Sequence, residues 1–408
     1  MGARGMIYVI KKDGTREEFN SQKIVAAVNK SAARILYTFS DKEKEFICQF
    51  AEEHAEALGK NEIEIQEMHN IVEGALERVN PAVAKSYRDY RNYKLDFIHM
   101  MDDVYTKSQA IRYIGDKSNA NTDSALVATK RSLIFNELNK ELYRKFFMNR
   151  NELQACKDGY IYIHDQSARL DTMNCCLFDI ASVLTGGFEM GNVWYNEPKT
   201  LDTAFDVMGD IILSTAAQQY GGFTVPEVDK ILAPYAKKSY DKYISEFMKY
   251  SDESWSGREE RAIEYALDKV RRDYDQGWQG IEYKLNTVGS SRGDYPFVTV
   301  TLGLGTEQFE KMCTVSLLEV HQGGQGKAGH KKPVLFPKIV FLYDKEIHGP
   351  GKCCEDIFEA GVECSSKTMY PDWLSMSGAG YISSMYKKYK KVISPMGCRA
   401  FLSPWYER

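Results

Sequence analysis

The sequence lacks several features that would mark a membrane, secreted or zinc-binding protein. None of its apolar runs approaches the roughly 20 residues of a membrane span. Its first residues, MGARGMIYVIKKDG, place charges directly after a very short apolar stretch, which excludes a secretory signal. No Cys-x-x-Cys pair occurs among the nine cysteines, which argues against a zinc ribbon or a thioredoxin-type redox pair. We therefore expect a reduced, cytoplasmic protein with no metal site in this chain.

The chain also lacks an excess of positive charge, an internal repeat and the common phosphate-binding loops. Lys and Arg total 53 and Asp and Glu total 57, so the net charge of −4 argues against nucleic-acid binding through bulk positive charge. No GxGxxG or Walker motif is present, which excludes a Rossmann site and a P-loop. The 408 residues, 43% hydrophobic and 27% charged, are a globular composition long enough for about two or three domains.

The first 98 residues have the pattern of a small α+β domain. Strands at residues 6–10 and 15–19 form a hairpin, and about four helices follow. The residues that mark the turn and the helix ends are Asp13-Gly14, Asn20 or Ser21, the capping box at residues 40–43, Gly59 and Asn80-Pro81. We assign residues 1–98 to this domain.

Residues 99–408 alternate strands with long helices, and we assign them to a second domain. We expect helices at residues 124–150, 200–220 and 228–275. We expect strands at residues 159–165, 297–302, 334–342 and 378–382. This alternation predicts an α/β barrel or a large layered α/β domain.

The N-terminal hairpin gathers cations close to a helix start, namely Lys11, Lys12, Arg16 and Lys23. Side-chain cations together with the backbone N–H groups of a helix start would suit a polyphosphate. A solvated charged turn has the same composition, so both interpretations stay open on the residues alone.

The same hairpin opens a longer motif, Val-x-Lys-Lys-Asp-Gly-x4-Phe-x3-Lys-Ile, followed by Met68-His69 and by Tyr87-Arg88-Asp89-Tyr90-Arg91. Together these segments resemble the ATP-cone, the regulatory nucleotide-binding domain of many ribonucleotide reductases and of a nucleotide-sensing transcriptional repressor. The resemblance implies that bound ATP or dATP lies near Lys11, Lys12, Glu18, Lys23 and His69. Val9, Phe19 and Ile24 would shape the pocket or its core.

Three cysteines stand in segments of interest. Cys175 and Cys176 directly follow Asn174, and on the residues alone buried packing accounts for them. Cys398 lies in Pro395-Met-Gly-Cys-Arg-Ala, where the neighbouring guanidinium favours a thiolate. A nucleophile and an inert loop cysteine both remain open for Cys398.

In this order behind the ATP-cone motif, these segments resemble the anaerobic (class III) ribonucleoside-triphosphate reductase large subunit. The resemblance implies a ten-stranded α/β barrel of the glycyl-radical enzyme type, with a finger loop through its centre. Cys398 would lie at the loop tip and become a transient thiyl radical. Cys175 would be its reducing partner across the ribose. The enzyme would reduce ribonucleoside triphosphates for deoxyribonucleotide biosynthesis and DNA replication.

The resemblance also implies cofactors and partners. ATP in the cone would permit activity and dATP would inhibit it. Expected partners are a ribonucleoside triphosphate, dNTP effectors, a radical-SAM activating enzyme and further copies in a homodimer or a higher nucleotide-dependent oligomer. The family's glycyl-radical string and four-cysteine zinc site do not occur before Arg408. We therefore expect this chain alone to bind nucleotides without turning over.

The sequence also contains some weaker site candidates, and two other function classes are compatible with parts of it. His164-Asp165 either ends a strand or lines the substrate pocket, and the glycine-rich residues 322–327 either cover phosphates or form a surface loop. The family places parts of its dimer interface and of its specificity effector site near residues 119–121 and the helix through Arg131, and we expect dimer contacts there. A nucleotide-sensing module that controls oligomerisation remains an alternative. A pyruvate formate-lyase is disfavoured, because that relative has two adjacent cysteines at its loop tip.

Overall fold

A computed structural model of the chain describes residues 6–11, 13–114, 126–169, 173, 175–219, 221–289 and 293–396. The chain divides into two compact units, Met1–Thr106 and Lys107–Arg408. Helices dominate both units, and each unit has its own hydrophobic core. Within the described ranges, no helix combines the length and the hydrophobicity needed to cross a membrane.

The first unit combines a three-stranded sheet with helices. Its elements are β1 (Tyr8–Ile10), β2 (Arg16–Glu18), α1 (Ser21–Arg34), α2 (Asp41–Ala57), β3 (Glu62–Glu64), α3 (Ile65–Val79) and most of α4 (Pro81–Ile114), which continues past Thr106. Strand β1 lies in the middle, antiparallel to β2 and parallel to β3. The predicted hairpin and four helices are therefore present, and β3 is an element that the sequence analysis did not predict.

Local side-chain signals set the ends of these elements. The Asn20 side chain accepts the N–H of Gln22 at 2.9 Å and caps α1. Ser40 and Glu43 form the predicted capping box at the start of α2. Gly14 has a left-handed φ of 79° in the β1–β2 turn, a conformation that a Cβ would strain. The turn and cap predictions are thus confirmed.

The second unit is built on a five-stranded parallel sheet with the order β10-β9-β8-β7-β4. The strands are β4 (Cys176–Leu177), β5 (Phe188–Met190), β6 (Val193–Tyr195), β7 (Phe223–Val225), β8 (Val298–Leu302), β9 (Lys338–Tyr343) and β10 (Asp372–Ser375), where β5 and β6 form a separate hairpin. The helices are α5 (Val127–Phe146), α6 (Arg150–Lys157), α7 (Ile180–Leu184), α8 (Leu201–Ala217), α9 (Val228–Tyr250), α10 (Arg258–Thr287), α11 (Gln308–Gly323), α12 (Lys345–His348), α13 (Glu355–Thr368) and α14 (Tyr381–Tyr389).

The two faces of the parallel sheet differ in polarity. Side chains alternate along a strand, and one face of β7 and β8 packs into the large core with residues of α8 to α11. The opposite face of these two strands presents three buried hydroxyl groups, from Thr224, Thr299 and Thr301. A buried hydroxyl is costly unless it is hydrogen-bonded. This face therefore requires polar partners, and residues 393–395 supply some of them.

The predicted strand at residues 159–165 is wrong. Tyr160 and Tyr162 are 83% and 85% exposed, so the alternating pattern reflects solvent-facing aromatics rather than a half-buried strand. The backbone N–H groups of Tyr160 and Ile161 instead bond to the carbonyl of Ala155. The segment thereby turns back on the end of α6.

The predicted strand at residues 378–382 is also wrong. Gly378 has a φ of 119°, and Gly380 is the residue from which helix α14 begins. Glycine in a strand pattern is a weak strand signal, and here it marks a bend and a helix start. The described residues contain five strands of the main sheet, so the ten-strand count stays a prediction.

Asp229, near the start of α9, fixes the turn that follows β8. Its carboxylate is fully buried and accepts the backbone N–H groups of Gly303 at 2.9 Å and Gly305 at 3.1 Å. Burial raises the pKa of Asp229 to about 6, against the opposing effect of these N–H donors. Between pH 3.8 and about 6, this carboxyl is therefore mostly protonated in the native state and mostly ionised in the unfolded chain.

We expect this carboxyl to make the protein less stable as pH rises. Its contribution is complete below the ordinary pKa of 3.8 and is lost as pH rises through about 6. The rise in the pKa of Asp229 from 3.8 to about 6 corresponds to about 3 kcal/mol of unfolding free energy. Denaturant unfolding of the wild type and of Asp229→Asn between pH 4 and 7 measures this. The difference in unfolding free energy between the two proteins should fall with pH, and parallel profiles would remove Asp229 as the cause.

Candidate functional site

The first unit contains a cavity of about 290 Å³ lined by residues that include members of β1, β2, α1, α3 and α4. Seven of the eight predicted nucleotide-site residues line it: Val9, Lys11, Glu18, Phe19, Lys23, Ile24 and His69. The eighth, Lys12, lies outside the described residues. The structure therefore brings the described residues of this prediction together, and nucleotide binding by them stays a prediction.

One wall of this cavity is apolar. Ile24, Met68 and Val72 line it and are buried members of the first unit's core. Val9 and Phe19 line it as well and pack against the same core. An apolar wall with a few polar groups at its edge suits a flat aromatic ring.

A second cavity, of about 570 Å³, adjoins the first, because Lys11, His69 and Tyr87 are among the residues that line both. Its lining contains five cationic side chains, namely Lys11, Lys30, Arg34, Arg91 and Lys94. Among the described lining residues these face one carboxylate, that of Asp13. This excess of positive charge suits a polyanion.

Four of these cations are residues that the sequence analysis did not name as site residues. Lys30 and Arg34 are four residues apart on α1, and Arg91 and Lys94 are three apart on α4, so each pair lies on one helix face. That spacing is a signal the sequence contains. Their convergence on one cavity depends on how α1 packs beside α4, which spacing within each helix does not reveal.

Side-chain contacts fix the positions of His69 and Tyr87, which line both cavities, and of Arg91, which lines the larger one. His69 Nδ1 lies 2.7 Å from the Tyr87 hydroxyl, and burial raises the pKa of Tyr87 to about 12. Arg91 pairs with Glu73 at 3.1 Å, and its Nε and Nη1 atoms are buried without a partner among the described residues. Buried donors of this kind normally have an acceptor. Arg91 therefore has capacity for an anion beyond Glu73.

Glu17 is an internal counter-ion in the smaller cavity. Its carboxylate contacts the ammonium groups of Lys11 and Lys23. Hydrogen bonds from Lys11 and from Lys23 lower the pKa of Glu17 to about 2, so the carboxyl is ionised at neutral pH. All three side chains line the cavity. A bound phosphate would compete with Glu17 for the two lysines.

In the second unit, the two adjacent cysteines lie at the start of β4. Cys176 is the first residue of the strand, pairs in register with Phe223 and packs against the large core. The amide of Gln219 donates to its sulfur at 2.7 Å, and burial raises the pKa of the Cys176 thiol. Cys175 precedes the strand and is half-buried.

Residues 393–395 are buried against the threonine face of the sheet. The Thr224 hydroxyl on β7 donates to the carbonyl oxygen of Pro395 at 2.5 Å. On β8, the Thr301 hydroxyl lies 3.3 Å from the hydroxyl of Ser394. Two neighbouring strands therefore hold two consecutive residues of this segment. Cys398, three residues further on, lies outside the described residues, so its catalytic role stays a prediction.

The weaker candidates belong to separate segments of the second unit. His164 is 74% exposed on its side chain and its Nδ1 lies 2.6 Å from the Asp165 carboxylate, with no strand there to end. In the glycine-rich loop, Gln325 pairs with Lys332 through two backbone hydrogen bonds of 2.8 and 2.9 Å. Arg131 lies in α5, and residues 119–121 lie outside the described residues.

Comparison with known proteins matches both units of the chain. The family model for the ATP cone domain matches residues 7–96, and the model for anaerobic ribonucleoside-triphosphate reductase matches residues 118–408. The anaerobic ribonucleoside-triphosphate reductase of Haemophilus influenzae is 32% identical over 98% of this chain and 55% of that protein. The Escherichia coli protein of the same name is 31% identical over 98% of this chain and 54% of that protein.

Among solved structures, the anaerobic ribonucleotide reductase from Thermotoga maritima in complex with dATP and CTP is 13% identical. It matches 71% of this chain and 50% of that chain with a TM-score of 0.43. The chain thus spans about half the length of the curated relatives it matches. The predicted mixed α/β fold with an N-terminal ATP cone is confirmed. Because the reductase model matches residues 118–408 and the ATP cone model matches the residues before them, the chain belongs to the anaerobic ribonucleoside-triphosphate reductase family.

Proposed function

We propose that this chain is the effector-binding and substrate-binding part of an anaerobic ribonucleotide reductase. The whole reductase would reduce ribonucleoside triphosphates to deoxyribonucleoside triphosphates under the control of ATP and dATP. The observation that supports this most is that the segment leading to Cys398 is hydrogen-bonded to β7, the strand next to the one that Cys175 precedes.

The spacing along the chain makes a meeting of the two cysteines feasible. Thr224, which holds Pro395, is in register with Leu177, two residues after Cys175. Adjacent strands are about 4.8 Å apart, and two residues of extended chain span about 7 Å. Three further residues, from Pro395 to Cys398, reach at most about 10 Å. A nucleotide between the two sulfur atoms is compatible with these lengths.

The face of the sheet supports Cys175 rather than Cys176 as the reducing thiol. Cys176 packs on the core side with Phe178 and Phe223, whereas Leu177 and Thr224 share the opposite side, where Pro395 binds. Alternation along an extended segment places Cys175 on the side of Leu177. We therefore assign the reducing role to Cys175 and a packing role to Cys176.

Cysteine suits this chemistry because an S–H bond is slightly weaker than a ribose C–H bond. A thiyl radical at Cys398 would remove the 3′ hydrogen reversibly, and loss of the 2′ hydroxyl as water would make the step productive. The Cys175 thiol would then give a hydrogen atom to the sugar and become a thiyl. A two-electron reductant of the formate or dithiol class would restore that thiol and reduce the 3′ ketone to a ketyl radical. Cys398 would return its hydrogen to C3′, which regenerates the thiyl radical at Cys398. Burial against the sheet would shield such a radical from side reactions.

The two adjoining cavities of the cone support a single extended nucleotide. The apolar wall of the 290 Å³ cavity would hold the base, and the five cations lining the 570 Å³ cavity would hold the triphosphate. Lys11 and His69 line both cavities and would lie near the junction of sugar and phosphates. Lys12, Glu18 and Lys23 are proposed contacts carried over from the motif.

Control by ATP and dATP requires that the two effectors favour different states of the enzyme. A reductase of this kind also implies a glycyl radical, a zinc site and a radical-SAM activating enzyme for the whole protein. We propose these, a dimer or larger oligomer and a cytoplasmic location from family membership alone. The boundary at residue 98 is proposed from the pattern of strands and helices in the sequence.

Calorimetric titration of the 408-residue chain with dATP tests the cone assignment. We expect saturable binding, with competition by ATP. An absence of heat and of competition at millimolar nucleotide would overturn the proposed regulation.

A further inference from the structure

Two adjacent cysteines outside the proposed site, Cys353 and Cys354, hold their sulfur atoms 3.7 Å apart. They lie in the turn between α12 and α13. Cys353 is exposed, whereas Cys354 is fully buried in the large core. We propose that this dithiol binds a thiophilic, three-coordinate centre that takes two sulfur ligands in a pyramidal arrangement, namely a monosubstituted trivalent arsenical.

The sulfur separation favours a bridging atom over a disulfide. A disulfide requires sulfurs about 2.05 Å apart and Cα atoms usually about 4.4–6.8 Å apart, but consecutive residues in a trans peptide have Cα atoms about 3.8 Å apart. Two bonds to sulfur of about 2.3 Å, at the angle of about 100° of a three-coordinate pyramidal centre, place the sulfurs about 3.5 Å apart. A linear two-coordinate centre would require about 4.6 Å. The observed 3.7 Å lies much closer to the pyramidal value than to the linear one.

The surroundings favour a ligand that needs two protein sulfurs and no more. In the parts of the chain that the structure describes, no group of three or more His, Cys, Asp or Glu side chains could hold a metal ion. A fully protein-coordinated metal is therefore not supported here. A trivalent arsenical fits because its organic substituent occupies the third position.

Contacts around the pair hold its geometry. Lys311 donates to the carbonyl oxygen of Cys353 at 2.7 Å and pairs with Asp356 at 2.9 Å, which fixes the turn. The Cys354 sulfur also lies 3.7 Å from the carbonyl oxygen of Gly305. Burial and the neighbouring Cys353 raise the pKa of Cys354 to about 12, so it is a neutral thiol at pH 7.

The binding step balances with both cysteines as thiols. Each S–H replaces one hydroxyl of R–As(OH)2: two S–H and two As–O bonds break, and two As–S bonds form. Two water molecules leave, and arsenic stays trivalent throughout. The exposed Cys353 can react first, and Cys354 then closes the ring.

The test uses the reduced 408-residue chain with one equivalent of phenylarsine oxide under anaerobic conditions. We expect one arsenic per chain, loss of two titratable thiols, mapping to residues 353–354 and release by a competing dithiol. Cys353→Ser should weaken uptake at least about tenfold, because chelation by two linked thiols is lost. Cys353 is exposed, so this variant should keep the fold.

Cys156→Ser, which removes a single cysteine from α6, is the matched control and should retain full uptake. Cys176→Ser tests the other adjacent pair in the chain. No uptake by the wild type, equal uptake by Cys353→Ser, or loss of uptake in Cys176→Ser instead would each overturn the proposal.

Discussion

Cys398→Ala in the whole reductase should abolish ribonucleotide reduction, with a loss of at least about a thousandfold. Only a sulfur radical can remove the 3′ hydrogen reversibly in the proposed mechanism, and an alanine methyl group cannot take that role. The affinity for dATP should not change, because the proposed effector site is formed by residues of the first unit. Product formation from a radiolabelled ribonucleoside triphosphate, with calorimetry for dATP, gives both readouts.

Cys176→Ala is the matched control for this experiment. Cys176 packs on the core side of β4, so its replacement should cost some stability and leave turnover within about threefold. Cys175→Ala should abolish turnover as Cys398→Ala does. Turnover by Cys398→Ala, or its loss in Cys176→Ala with Cys175→Ala still active, would contradict the assignment of the two sulfurs.

Opposite changes in nucleotide affinity are expected from two neighbours in the cone. Lys11→Gln removes an ammonium group that lines both cavities and should weaken triphosphate binding about tenfold to a hundredfold. Glu17→Gln removes the carboxylate that competes with phosphate for Lys11 and Lys23, and should strengthen binding about threefold to tenfold. General damage to the fold would weaken binding in both variants, so a gain of affinity in Glu17→Gln identifies a specific counter-ion effect.

Calorimetry of both variants with ATP and with adenosine measures these changes. Adenosine binding should be nearly unaffected, because its base would contact the apolar wall. Lys44→Gln is the control, since Lys44 pairs with Asp41 on α2 and lines neither cavity. If Glu17→Gln weakens ATP binding, or Lys44→Gln weakens it as much as Lys11→Gln does, the proposed triphosphate position is wrong.

The sequence predicted the first unit well because its signals are local. Asp13-Gly14, Asn20 and the Ser40–Glu43 box act within a few residues, and the structure has the turn and helix starts at these positions. Strand β3 was not predicted because its three residues, Glu62–Glu64, are mostly polar and form a strand only by pairing with β1. That pairing depends on tertiary contacts, which a local sequence pattern does not show.

The second unit was harder to predict for the same reason. Tyr160 to Tyr162 alternate like a strand but have no sheet to join, and the period-two pattern alone cannot show that. The threonine face follows from strand alternation, but its contact with Pro395 joins residues 171 positions apart. Chemical motifs located the cysteines in the sequence, and the family resemblance favoured Cys175 because it directly follows Asn174. The side of the sheet on which each cysteine lies follows only from the strand register.

Anaerobic cross-linking of the chain with a short bifunctional thiol reagent, followed by peptide mapping, tests the central claim most directly. The claim is that Cys175 and Cys398 face one another across a bound sugar. We expect a Cys175–Cys398 product that a saturating ribonucleoside triphosphate suppresses, with little Cys176–Cys398 product. A dominant Cys176–Cys398 product, or no product involving Cys398, would contradict it.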